Sequence, residues 1–341
     1  MPSHFAHLVF AEESIVGALG DEGKTILDSH GSLLRFAAQG PDTFYHNQRT
    51  MPTGLRYGVA LHKHGYGTMV AELVREARRL GMGPATELGA FTLGFATHAI
   101  LDRGAHPYII YRAGWDDAAS GGANRRYHTH PFLERILDVL VLAERRGIEP
   151  SAFDFLSLVR SPRGLPYPVL KALVKGLHGT FPSFGRKSLD RARIENAYYD
   201  AIFFYKVTNH LNTAMHRLAS KSDRKYGFRT RRLGLLHPRE IPPGIDFLNR
   251  QRRSWCHPCD DTAVSNASFL DLYEQALAES VRVTRLVYDG LAGRTSLDAV
   301  AGTVGNLSLD TGREPCVPRY SNPFPLREIL DDMYRRLESE H

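Results

Sequence analysis

Cysteine is scarce: the 341 residues hold only three. An odd count cannot complete a disulfide framework and fits a reducing compartment. No stretch approaches the roughly 18 uninterrupted apolar residues of a transmembrane helix, so no stable membrane insertion is expected. The start, Met1-Pro2-Ser3-His4, has no basic leader, and the apolar run after it is broken by Glu12 and Glu13. No secretory signal is expected, and the cytoplasm is the expected location. Neither charge sign dominates: 43 Lys and Arg stand against 37 Asp and Glu, a net charge of +6. The basic clusters Arg229–Arg232 and Arg250–Arg253 read as solvated loop charge rather than a nucleic-acid surface. There is no adjacent His-Asp dipeptide, which removes the His-Asp type of helical phosphohydrolase. Repeats and low-complexity tracts are absent, and strand-like alternation is rare.

Histidine, in contrast, is plentiful. Ten of the 16 histidines fall in the first 130 residues. The chain spells His98-Ala-Ile-Leu-Asp102, then His106, then His130-Pro-Phe-Leu-Glu134. Residues at i and i+4 share one face of a helix, so each His–carboxylate pair can close on one ion. Helical periodicity covers about 57–80, 84–103, 130–146, 189–220, 266–293 and 324–338. In the second segment Leu88, Phe91, Phe95, His98, Ala99 and Asp102 form one stripe. The ligand pair would therefore project from a buried face, as in metal sites inside helix bundles. Ser268 is placed to cap a helix with Asp271 in its first turn. The expected fold is all-α, a multi-helix bundle forming one domain over 1–341. Its metal-ligand part is 1–146 and its C-terminal helical part 150–341. Gly40-Pro-Asp42 and 114–122 read as loops, and the Pro-rich stretch 222–265 as a long irregular excursion.

The candidate ligands are His7, Asp42, His62, His98, Asp102, His106, His130 and Glu134, all nitrogen or oxygen donors. Neutral imidazole and carboxylate without thiolate suit catalytic zinc. At Leu61-His-Lys-His64 only one ring of an i, i+2 pair can face the site, and His62 has the better context. His130 is preferred to His128 because Glu134 lies at i+4. His30, His46 and His64 read individually as ordinary core or surface histidines. Trp255-Cys-His-Pro-Cys259 has the spacing of a redox motif, but a polar, basic segment precedes it where a buried strand is needed; it reads as a plain loop. Tyr198-Tyr199 and Phe203-Phe204-Tyr205 read as core aromatics.

These motifs resemble those of the zinc-dependent phospholipase C family, which is similar in fold to the single-strand-specific zinc nucleases. The matching text is Ala6-His7, Gly40-Pro-Asp42, Leu61-His62, Leu93-Gly-Phe-Ala-Thr-His98-Ala-Ile-Leu-Asp102, His106-Pro-Tyr108 and His130-Pro-Phe-Leu-Glu134. An uncharacterised, unsecreted bacterial branch is the nearest in pattern, with Trp255, Pro258 and Ser268-Phe-Leu-Asp-Leu-Tyr273 as further echoes. The resemblance implies two or three zinc ions. Asp42, His62, His98 and Asp102 would hold one, and His106, His130 and Glu134 a second. Asp102 would bridge to a third, completed by His7 and the chain's amino terminus. Removal of the initiator Met would make Pro2 that terminus and its amine a ligand, where secreted members use a Trp; His4 is the rival. Asp42 would also orient or deprotonate the attacking water. The implied function is hydrolysis of a phosphodiester, phospholipid or nucleotide-type, by metal-activated water. No protein partner can be inferred. The alternative is a non-catalytic helical scaffold that keeps a structural metal site.

Overall fold

Every residue from Leu88 to Asp102 is buried. A helix apolar all round must have neighbours on all sides. This helix, α6 (Glu87–Ala113), is the axis of the bundle. The computed structural model describes residues 4–114, 129–184, 187–208, 232–238, 243–314 and 316–323, with isolated positions between and after them. Before α6 come α1 (His4–Leu19), α2 (Asp21–Ala37), the single turn α3 (Asp42–Tyr45), α4 (Leu55–Lys63) and α5 (Tyr66–Arg79). After it come α7 (Thr129–Arg146), α8 (Phe155–Val159), α9 (Tyr167–Thr180) and α10 (Asp190–Thr208). A two-stranded antiparallel hairpin, β1 (Trp255–His257) and β2 (Asp260–Ser265), precedes α11 (Phe269–Leu291) and α12 (Leu297–Val304). The described residues are thus all-α apart from one hairpin, and α1, α2, α5, α7, α9 and α11 all pack on α6.

Close approach decides the α2–α6 contact. A Cβ on Gly94 would stand 2.2 Å from the Leu34 carbonyl oxygen, so only glycine lets the two backbones meet. Thr86 caps the start of α6 by accepting from the Gly89 amide. At the other end α6 runs through Pro107, ten residues beyond the expected stop at 103. Proline removes one helical donor, leaving the Arg103 carbonyl without its usual partner. A Cβ on Gly312 would lie 2.8 Å from that oxygen, so the chain after α12 passes directly over the opened turn.

Three expectations need correction. The stretch 222–265 is not irregular to its end, because 255–265 contains the hairpin. The cysteines do form a bridge: Cys259 in the hairpin turn is bonded to Cys316, with Cα atoms 6.2 Å apart. An odd count excludes full pairing but not one pair plus one thiol, and a 57-residue separation leaves no local trace. The third cysteine, Cys256, is a free thiol whose pKa burial pushes up. The expected helix over 57–80 is split at Gly65, whose φ of 83° needs glycine. The C-terminal helix expected over 324–338 lies mostly outside the described residues, as does Pro2. No described helix is long and apolar enough to cross a membrane.

Candidate metal centre

Five elements deliver the ligands. α1 carries His7, and its N-terminal amides are held by a side chain from α7: Asp138 accepts from the backbone N–H of His4 and of Ala6, both at 2.8 Å. A carboxylate there satisfies orphan donors and complements the helix dipole. Gly40, at φ 54°, turns the chain so that Asp42 opens α3. α4 supplies His62 from its last turn. α6 supplies His98, Asp102 and His106, three successive i+4 positions on one face. α7 supplies His130 and Glu134.

Asp102 lies between all of them. Its Oδ2 is 2.9 Å from His98 Nε2 and 3.9 Å from His62 Nε2. Its Oδ1 is 3.1 Å from His7 Nε2 and 3.7 Å from His106 Nε2. Asp42 reaches His62 Nε2 at 2.9 Å through Oδ1 and His98 Nε2 at 3.5 Å through Oδ2. On the other side, Glu134 Oε1 is 3.2 Å from His106 Nε2 and 3.0 Å from His130 Nε2. A tetrahedral zinc with bonds of about 2.0–2.1 Å places its ligand atoms about 3.3 Å apart. The spacings here bracket that value.

Tautomers are set from outside. His62 Nδ1 donates to Gly58 O at 2.8 Å, His98 Nδ1 to Ala38 O at 3.1 Å and His106 Nδ1 to Leu309 O at 3.0 Å. Carbonyls only accept, so the proton lies on Nδ1 and each Nε2 is directed inward. At His98 the consequence is sharp. Burial lowers its pKa, outweighing Asp102, so the ring is neutral. Its Nε2 lone pair makes no hydrogen bond, and neither does Asp102 Oδ2. A bare lone pair 2.9 Å from a carboxylate oxygen is repulsive unless a cation lies between them. The donor set and the orphaned atoms therefore fit a metal ion. Among the described residues two groups have this composition: His7, Asp42, His98 and Asp102, and His106, His130 and Glu134.

The structure brings the expected residues together, Pro2 excepted because it lies outside the described residues. His7 lies beside the first expected group, stacked on His98 at 4.2 Å, and meets Asp102 through Oδ1, the oxygen turned away from His98. His64 is exposed and turned against Phe181, whereas His62 is buried. Sequence reading missed Arg135 and Asp138, both buried beside the centre. The only signal was that Asp138 extends the row of His130 and Glu134 by one more i+4 step. His46, taken as an ordinary histidine, is also buried there.

Charge couples the groups. Burial works against both charged states, yet His106 and His98 hold Asp102 well below the usual carboxylate range. Asp42 is lowered in the same way by His98 and His62. Burial would lower His106, but Asp102 and Glu134 outweigh it and push the ring up to about 10. At neutral pH the metal-free ring thus carries a proton on Nε2 that an ion must displace. Zinc binding is expected to release protons and to tighten with rising pH, by up to about tenfold per unit for one proton. Calorimetry in buffers of different ionisation enthalpy measures this; identical binding heats in all of them would contradict it.

The last ligand support comes from far along the chain. Leu309 N donates to His62 O at 2.7 Å while Leu309 O accepts from His106. This strap is fastened to the hairpin by Cys259–Cys316, by the Arg319 amide on Pro258 O and by His257 on Thr311 O. Cys316→Ser is expected to weaken zinc binding about ten- to a hundredfold, as loss of outer-shell support does. Competition with a chromophoric chelator reads this out, and unchanged affinity would show that the hydrogen bonds suffice alone.

Comparison with family models, with curated proteins and with solved structures finds no match for this chain.

Proposed function

We propose that this protein is a zinc-dependent phosphodiester hydrolase, similar in its chemistry to the phospholipase C family that its motifs resemble. The observation that carries the reading is the His98 Nε2 lone pair facing two carboxylates, joined through Asp102 to a second group of ligands. His7, Asp42, His62, His98 and Asp102 would hold metal on one side, and His106, His130 and Glu134 on the other. Zinc supplies a lowered water pKa and charge neutralisation at phosphoryl oxygens. Asp42 stays ionised at neutral pH, so it is a weak base; its role is to accept a hydrogen bond from water and aim it. Asp102 fixes the distance between the two groups, and the carbonyls of Gly58, Ala38 and Leu309 hold the rings still.

One observation favours a second reading, a structural site in a helical scaffold. The ligands are deeply enclosed: His98 is 0% exposed and Asp42 1%, and only His130, at 16% for its side chain, reaches solvent. Stepwise removal of zinc with a chelator separates the two. A hydrolase loses cleavage of bis(p-nitrophenyl) phosphate before its helical circular dichroism changes; a scaffold site loses the fold with the metal and never cleaves the ester.

A further inference from the structure

Next to the metal ligands lies a second buried polar group that the ligand set does not use. Arg135 follows Glu134 on α7 and is 1% exposed. Its Nε and Nη1 make no hydrogen bond, and Nη2 donates to His4 Nε2 at 3.2 Å. Asp138, its nearest carboxylate, is 3.6 Å from Nη1 and already accepts from His4 N, Ala6 N and His237 Nε2. His46, 6% exposed, has both ring nitrogens unpartnered. Burial brings its pKa to about 3, so one nitrogen carries a proton to donate. Tyr205 on α10, 1% exposed, has an unpartnered hydroxyl that burial keeps protonated.

The three are neighbours. His46 stacks on Phe204 at 4.1 Å and meets Tyr205 edge-on at 5.4 Å. The guanidinium carbon of Arg135 is 5.9 Å from the same Phe204 ring. All three feel the charge of Asp42, which places them on the flank of the centre. Leaving a buried donor unsatisfied costs about 1–3 kcal/mol, more for a charged one. Three such donors, from separate elements and all set against the Phe204–Tyr205 pair, are groups that an acceptor-rich anion would satisfy.

We propose that Arg135, His46 and Tyr205 form a subsite for a phosphoryl group, its oxygens taking an unpartnered guanidinium N–H, the imidazole N–H and the phenol. This rests on the phosphodiester reading for its choice of anion. Arg135 offers Nε and Nη1 N–H groups that no protein atom takes, on a planar cation that lysine does not reproduce. The three residues are positioning residues: they hold the phosphoryl group against the centre while ligands and water do the chemistry.

The test is calorimetric binding of inorganic phosphate, phosphocholine and a nucleoside monophosphate to the zinc-loaded protein. Wild type is compared with Arg135→Met and Tyr205→Phe, with zinc content and thermal unfolding followed in parallel. Tyr205→Phe removes one hydroxyl from a packed ring, so it keeps the test open if Arg135→Met fails to fold. The expected result is a loss of phosphate affinity of about tenfold or more in each variant at unchanged zinc stoichiometry. Preference for phosphocholine or for the nucleotide, each dependent on Tyr205, identifies the source of the phosphoryl group. Equal phosphate affinity in Tyr205→Phe and wild type overturns the subsite, as does a zinc-loaded wild type that binds none of the three. Arg135-dependent phosphate binding without cleavage of any phosphodiester keeps the subsite and sinks the hydrolase reading instead.

Discussion

Asp102→Ala is expected to strip metal from both groups at once. Among the described carboxylates Asp102 reaches both: Oδ2 faces His98 and His62, while Oδ1 faces His7 and His106. Loss of a peripheral ligand such as His130 should cost one ion, whereas loss of Asp102 should reduce zinc per chain by two or more. Charge neutralisation of several kcal/mol disappears with the ions, so phosphodiester cleavage should fall by at least about a thousandfold. Elemental analysis of Asp102→Ala and His130→Ala, purified side by side without chelator, decides it. If Asp102→Ala keeps the zinc of wild type, Asp102 is not the shared ligand and the two groups are independent.

Gly40→Ala should be nearly as damaging although it alters no ligand. Gly40 has φ 54°, and a Cβ built on it would lie 2.3 Å from His98 Cγ. Left-handed backbone costs a residue with a side chain about 1–2 kcal/mol, and overpacking adds about 1–3 kcal/mol. The expected destabilisation is thus about 2–5 kcal/mol. The His98 ring must also move off the Ala38 carbonyl, which frees its tautomer and weakens the first metal group. Gly20→Ala is the control. Gly20, at φ 59° and ψ −128°, has nothing within 4 Å of its Cβ, so its substitution should cost backbone strain without overpacking and leave zinc unchanged. Equal zinc affinity in Gly40→Ala and Gly20→Ala would mean that the loop yields and His98 stays in place.

What could be read from the sequence was whatever repeats at helical spacing. His98, Asp102, His130 and Glu134 were legible because the i, i+4 rule depends on side-chain identity alone. The Ser268 cap was legible too, and the structure closes it as a full capping box with Asp271. His106 is a further i+4 step from Asp102, but Pro107 made the helix seem to end before it. α1 was invisible for the opposite reason. It is buried on nearly every side and has no polar stripe to reveal its period. Leu309 could not have been found, since its part is played by a backbone carbonyl and amide that any residue has. Arg135 was hidden because a charge beside a ligand looks like an ordinary solvated one until its burial is known.

The strap also has a place in time. The side-chain ligands described here all lie before residue 135, but the carbonyl that orients His106 belongs to Leu309, 203 positions later. During vectorial synthesis the ligand-bearing helices emerge first and wait for their last support. Until Leu309 has been made, His106 Nδ1 lacks the carbonyl that orients it. A nascent chain arrested near residue 300 should therefore bind zinc more loosely than one that carries residues 309–316.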